Sequence, residues 1–289
     1  MTQRMECKIC GSRSLYIHAH TARCPRCGVL LYYPYPKADA ASRPSRKRKA
    51  RRRTEIWNWY SKSSFFNHAN FTNMLRFAID ESHKERPLDI LDYGGGGGQF
   101  ALVCRSHFPR STIYITDIDD EALLDEWRAV NNPIPFESFK NDEKRFDFIF
   151  LNDVFEHVSD PRGVLELLSS KLKDRGKIFI DTPKQFWIYP LTRWVSPPLY
   201  TKVLQGTVSS AHLQIWSKTA FQWVVRSARL KIVKYEEWSE YTMPADYYLG
   251  NMGIEHPLLR AAGRAFHANA KWLARNKIVC LLSKRERAR

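Results

Sequence analysis

The chain has 289 residues, 44% hydrophobic and 13% aromatic, enough apolar material for one large α/β domain with a small appendage, and this excludes a chain disordered throughout. No early apolar stretch with a basic flank and no run of about 18 apolar residues occurs, so the expectation is a cytoplasmic protein without a transmembrane segment. The net charge of +16 is clustered: Arg43, Arg46, Lys47, Arg48, Lys49, Arg51, Arg52 and Arg53 carry half of it with no acid among them.

Residues 1–36 open the chain with Cys7 and Cys10, then thirteen residues, then Cys24 and Cys27, with Gly11 and Gly28 directly after each pair. Two such knuckles supply four thiolates to a tetrahedral ion, which predicts a structural zinc ribbon with no open metal position. Two disulfides or a redox pair suit a cytosolic chain poorly. Residues 37–55 are Ala, Ser, Pro and basic, a composition that suits an exposed linker. That basic run suits RNA phosphates, an anionic membrane surface with the protein peripheral to it, or plain solvation. Residues 56–86 predict a helical connector, because Phe71, Met74, Leu75, Phe77 and Ala78 recur at helical spacing.

From Pro87 the period changes. LDILDYG, TIYITD, PIPFESF, FDFIFLND and KIFIDT read as strands, and Gln99–His107, Asp120–Val130 and Asp160–Lys173 read as helices between them. Ser159, Asp160 and Pro161 supply the cap and first turn of the last. LKIVKYEEW and KIVCLLSKR complete the count, so residues 87–289 predict a doubly wound α/β domain with a seven-stranded, mostly parallel sheet. Cys104 and Cys280 fall in a predicted helix and strand as packing residues. The insert over 184–206 mixes Trp187, Tyr189, Trp194 and Tyr200 with basic residues, which suits a lid over a hydrophobic acceptor, a segment lying at an interface, or a folded cap.

In LDYGGGGGQF a strand ends at Asp92 and runs into Gly94, Gly96 and Gly98, where missing side chains let a ligand lie against backbone. Gly96, Gly98 and Ala101 also fit a dinucleotide fingerprint, but Asp92 disfavours a pyrophosphate and favours the cationic methionine end of S-adenosylmethionine. Asp117 closes the second strand, where a carboxylate can accept from both ribose hydroxyls. In NDVFEHVSDP, Asp153, Glu156 and His157 come within reach of one face if a helical turn starts there. They could then act as a general base, hold a divalent metal, or simply brace the loop that seats the cofactor.

LDYGGGGGQF, ITDIDDEAL, FDFIFLNDVFEHVSDP, LKDRGKIFIDTP and HLQIWSKTAF, in this order over residues 88–221, resemble the successive motifs of class I S-adenosylmethionine-dependent methyltransferases closest to the ubiquinone-biosynthesis type. The resemblance implies Gly94, Gly96 and Gly98 under the cofactor, Asp92 near its amino end, Asp117 on the ribose, and Asn152 and Asp153 lining the site. It implies a lid histidine at His212, facing the acceptor or packed at the surface. The segment between Asp117 and Asp147 is short, which leaves Glu137 as a weak candidate for the adenine contact. CKICGSRS with RCPRCGVLLYYPYP resembles the zinc-ribbon head found on bacterial methyltransferases of polysaccharide and secondary-metabolite pathways. Methyl transfer to a small-molecule, sugar or lipid-linked acceptor, O-methylation by default, is the expected reaction, with His157 or His212 as base. The rivals are an RNA methyltransferase, a non-catalytic zinc-ribbon adaptor and a dinucleotide enzyme.

Overall fold

The structure is a computed structural model that describes residues 6–35, 68–119, 131–185, 208, 212–240, 245–251, 254–273 and 275–285. The basic linker, the helix expected at Asp120–Val130 and nearly all of the aromatic insert lie outside these residues.

The predicted strands form one seven-stranded sheet. In chain order they are β4 (Asp89–Tyr93), β5 (Thr112–Thr116), β6 (Asn132–Pro133), β7 (Phe146–Asn152), β8 (Leu172–Pro183), β10 (Leu230–Trp238) and β11 (Lys277–Lys284). Their order across the sheet is β10-β11-β8-β7-β4-β5-β6, parallel except that β11 runs antiparallel to both β8 and β10. Ile90 and Leu91 on β4, Ile149 and Phe150 on β7 and Ile178 and Phe179 on β8 are all fully buried, because helices cover both faces of a parallel sheet. On one face α1 (His68–Ala78) and α2 (Gln99–His107) pack Met74, Leu75, Phe100 and Cys104 against it. On the other, α4 (Pro161–Ser170) and α5 (Lys218–Ser227) supply Leu165, Leu168, Phe221 and Val224. The Asp160 carboxylate caps α4 from outside, accepting from Gly163 N–H at 3.0 Å, and Pro161 opens the helix as predicted. Cys104 and Cys280 are both buried.

PIPFESF is the exception among the strand expectations. Only Asn132–Pro133 pairs with β5, and Phe136–Phe139 is a short helix, α3. Two prolines explain the difference: each removes a ladder donor, and Pro135 at φ −57° stands just where a helix can begin.

The cysteine head consists of β1 (Tyr16–His18), β2 (Thr21–Arg23) and β3 (Leu30–Tyr32). Its small sheet continues into β9 (Gln214–Ile215) of the main domain, with Leu30 opposite Ile215 and Leu31 opposite Gln214. The four cysteines share an apolar cluster with Phe155, Leu165 and Trp216, so head and α/β domain have one core on this face. Further α-helices among the described residues are α6 (Ala245–Asn251) and α7 (Pro257–Leu273); none of the described helices is long and apolar enough to cross a membrane.

Candidate active site

Parallel strands bring their C-terminal ends to one edge, and the predicted site residues gather there because each follows β4, β5 or β7 or flanks β9. Gly94 N–H and Gly95 N–H both donate to Thr116 O, at 2.7 and 3.3 Å, which turns the chain sharply off β4. Gly94 sits at φ +77°, and a Cβ there would lie 2.5 Å from Val154 Cγ2. Gly96, at φ +50°, faces open space: a Cβ there would meet nothing within 4 Å among the described residues. Gly98 caps α2 in the left-handed region. This is a cradle of bare backbone at a helix start.

Asp92 lies beneath the turn and not at its open mouth. It is 2% exposed, and its Oδ2 has no hydrogen-bond partner among the described residues. Burial, and next the charge of Asp117, push its carboxyl up to about 8. Asp117 shapes the turn from the neighbouring strand: Oδ2 accepts from Gly96 N–H at 2.9 Å and Oδ1 from Asp119 N–H at 2.8 Å. A carboxylate offers about four lone-pair sites in all, so acceptance from backbone N–H groups and from a diol are chemically compatible in one such group. At the end of β7 both side-chain polar atoms of Asn152 are buried without a partner among the described residues. A buried polar group normally finds a partner, so three such atoms beside a glycine cradle suit a polar ligand. Glu137 is exposed on α3, whose Phe136 and Phe139 rings lie 6.2 and 5.7 Å from that of Tyr93, the residue after Asp92.

Asp153 follows at φ +51°, its N–H donating to Asp181 O at 3.1 Å. The turn over 155–157 is a single turn closed by His157 N–H to Val154 O at 2.9 Å, with no helix behind it. It keeps the side chains close but buries them unequally: Glu156 is 1% exposed and accepts from Thr182 Oγ1 at 2.9 Å, while His157 stands 41% exposed with Nε2 3.8 Å from Glu156 Oε1. His212, just before β9, brings its ring centroid to 4.9 Å from that of His157. Burial, then the charge of His157, holds His212 below its ordinary value. One ligand atom each from Glu156, His157 and His212 lies within 4.8 Å of the others, close enough to hold a proton among them or a divalent cation.

Sequence reasoning missed Lys277, Asp181 and Glu240. Lys277 is the first residue of β11; its ammonium pairs with Asp153 Oδ1 and lies 3.2 Å from Asp181 Oδ2. Burial and the charge of Asp153 raise Glu156 well above the ordinary value, and burial likewise raises Asp181 and Glu240. Lys277 is the cation within this acidic group, held charged against its own burial, foremost by Asp153. KIFIDT ends on an acid at a strand end, a signal that could have flagged Asp181; Lys277 reads only as a strand start.

In the head, Cys7 Sγ lies 3.8 Å from Cys27 Sγ and Cys10 Sγ 3.5 Å from Cys24 Sγ, all buried and none disulfide-bonded. A tetrahedron with metal–sulfur bonds of about 2.3 Å has edges of about 3.8 Å, so the donor set fits a single tetrahedral ion. The two knuckles repeat one turn, with Gly11 N–H to Cys7 O and Gly28 N–H to Cys24 O, both 2.9 Å.

A doubly wound α/β domain with a glycine turn at the edge of its first strand and paired acids on the first two strands defines a nucleoside-binding class of enzyme fold. The methyltransferase domain family matches residues 51–235, well over half of the chain, and the chain belongs to that family. A ubiquinone biosynthesis O-methyltransferase of Neisseria meningitidis serogroup C is 28% identical over 137 residues, 43% of this chain and 56% of the relative. A malonyl-[acyl-carrier protein] O-methyltransferase of Ilyobacter polytropus is 26% identical over 119 residues, 39% of this chain and 45% of the relative. The chain thus spans about half the length of the curated relatives it matches. Among solved structures, coclaurine N-methyltransferase bound to N-methylheliamine and SAH superposes with a TM-score of 0.51 at 13% identity, covering 74% of this chain and 71% of that one. That likeness shows the fold.

Proposed function

We propose that the chain binds S-adenosylmethionine in the glycine cradle and methylates a small-molecule, sugar or lipid-linked acceptor, with an oxygen as the default acceptor atom. The observation that carries this reading is the buried Asp92 carboxyl, one of its oxygens without a partner among the described residues, directly under Gly95 and one residue from the open backbone at Gly96. A cation above this carboxyl favours its ionised form and offsets part of what burial cost it, whereas a pyrophosphate would gain nothing from it. Bound there, S-adenosylmethionine supplies an electrophilic methyl on a positively charged sulfur. The chain's own residues do the rest: Asp117 accepts from the ribose hydroxyls, Asn152 offers its unpartnered amide, and His157 or His212 receives the acceptor's proton on a ring nitrogen. Methyl transfer asks chiefly for alignment of acceptor and methyl, so one base on the acceptor side is sufficient. Both curated relatives are named as O-methyltransferases, which supports oxygen as the acceptor atom. Zinc in the four-cysteine head completes the proposal, as a structural ion.

Calorimetric titration of the full chain with S-adenosylmethionine tests the cofactor site. Binding is expected, and Asp117→Ala should weaken it at least tenfold, since the Gly96 and Asp119 N–H groups lose their acceptor together with the ribose, about 1–3 kcal/mol for a group left unmade. No heat with S-adenosylmethionine together with a saturable NADH fluorescence signal would replace this reading with a dinucleotide enzyme.

A further inference from the structure

The short strand β9 stands between the cysteine head and the two histidines, and its hydrogen bonds run to both. On the catalytic side, Leu213 N–H and Gln214 N–H both donate to Glu156 O, at 2.9 and 3.3 Å. The Gln214 side chain, wholly buried, donates to Phe155 O at 2.7 Å and to Val158 O at 2.9 Å, bracketing the turn that carries His157. On the head side, Tyr32 N–H donates to Leu213 O at 2.9 Å, and the Tyr35 hydroxyl donates to Gln214 Oε1 at 2.5 Å. The second knuckle is tied in as well: Ser217 Oγ donates to Cys27 O at 2.5 Å and Gln185 Nε2 to Gly28 O at 2.6 Å.

A two-residue strand has almost no stability of its own, so its place is set by what it bonds to. We infer that the metal-loaded head is a positioning element for His157 and His212, acting through Tyr35 and Gln214, so that loss of the head's ion spoils the acceptor side without touching the cofactor cradle. The inference rests on the proposed reading of these histidines as acceptor-side groups. Three features support it. Each hydrogen-bonding atom of the Gln214 amide is used, two donors on the turn and one acceptor on the head, so the side chain joins the two rigidly. His212 directly precedes the segment that Tyr32 and Glu156 hold from opposite sides. The carbonyls that Ser217 and Gln185 use belong to the knuckle whose shape the four thiolates fix. Glycine turn and Asp117, by contrast, share none of these bonds.

The test uses the full chain and needs no acceptor. In the zinc-loaded protein, proton NMR should show a nuclear Overhauser contact between the His157 and His212 rings, assigned with single histidine variants. Tyr35→Phe keeps all four cysteines and should retain one zinc per chain and S-adenosylmethionine affinity within twofold, yet reduce that contact at least fivefold. Removing zinc from the parent by chelation should do the same, and it provides the second measurement if Tyr35→Phe does not fold. A contact that persists both in Tyr35→Phe and after zinc removal overturns the inference, as does its absence from the loaded parent. Persistence in Tyr35→Phe alone overturns the path through Gln214. Failure of the parent to bind S-adenosylmethionine would sink the proposed function while leaving this coupling to be judged by the ring contact.

Discussion

His157 and His212, 55 residues apart in the chain, face each other with ring centroids 4.9 Å apart, one exposed and the other buried enough to lose its proton early. This asymmetry matters for an acceptor base, which must be neutral when the acceptor arrives.

Because burial and the neighbouring imidazole lower His212, it should stay neutral to a pH below the ordinary histidine value of 6.5. Methyl transfer to a hydroxyl acceptor should therefore keep its rate on the acid side further than an ordinary histidine allows. His212→Ala should lower kcat by about 10²- to 10⁴-fold, the usual worth of a positioned base, and His157→Ala should change the acid limb of the profile. Initial rates across a pH series check both; full activity of both variants at every pH leaves neither as the base.

Asp92 gives the opposite sign. Its carboxyl is pushed up to about 8 from the ordinary 3.8, so the folded chain holds a proton there that the unfolded chain has already released. Between these values the group's contribution to stability falls as pH rises, by at most about 1.4 kcal/mol per pH unit, and the fall levels off above the upper value. A cationic ligand favours the carboxylate, so S-adenosylmethionine should bind with proton release at neutral pH and more tightly as pH rises. Calorimetry in buffers of different ionisation heat counts the protons, and Asp92→Asn should remove both effects. Zero release in the parent would take Asp92 out of the binding site.

Gly94 and Gly96 separate folding from binding. Alanine at Gly94 would press its Cβ into Val154 in a backbone conformation that already resists a side chain, so both melting temperature and ligand affinity should fall. Alanine at Gly96 meets no atom of the described residues within 4 Å and carries the left-handed strain, about 1–2 kcal/mol, while it enters the space proposed for the cofactor. Thermal melts and ligand titrations on the two variants should diverge accordingly, with Gly96→Ala losing affinity out of proportion to stability. Parallel losses in both would mean that the space above Gly96 is not where the cofactor lies.

Cys24→Ser should reduce the zinc content from about one ion per chain to near none, because structural four-cysteine sites need every thiolate. The melting temperature should fall as well, since Cys24 and Cys27 lie in the core cluster with Phe155 and Trp216. Metal analysis of the purified parent that finds no zinc would end the claim.

Local pattern was sufficient for most of the sheet. Alternating apolar runs in LDILDYG, TIYITD, FDFIFLND and KIFIDT each gave a strand where expected, and Gly94, Gly96, Gly98, Asp117 and Asn152 follow those strands at one edge simply because parallel strands end together. PIPFESF was misread because apolar content alone does not report missing donors, and Pro133 and Pro135 remove them. The cysteine spacing foretold the cluster of four sulfurs, since both knuckles are closed by bonds within a few residues.

Chain-distant partners were beyond that kind of reading. Lys277 meets Asp153 and Asp181 only because β11 lies antiparallel beside β8, a pairing that nothing within KIVCLLSKR specifies. Tyr35 meets Gln214 across 179 residues only because β3 pairs with β9. Residues by themselves determined which segments form strands and where bare backbone and carboxylates fall on them, since backbone periodicity and side-chain size are local properties. Tertiary structure alone decided which buried charge faces which, and that the cysteine head bonds to the strand beside the histidines, since a buried polar group's energy depends on whichever distant strand is packed against it.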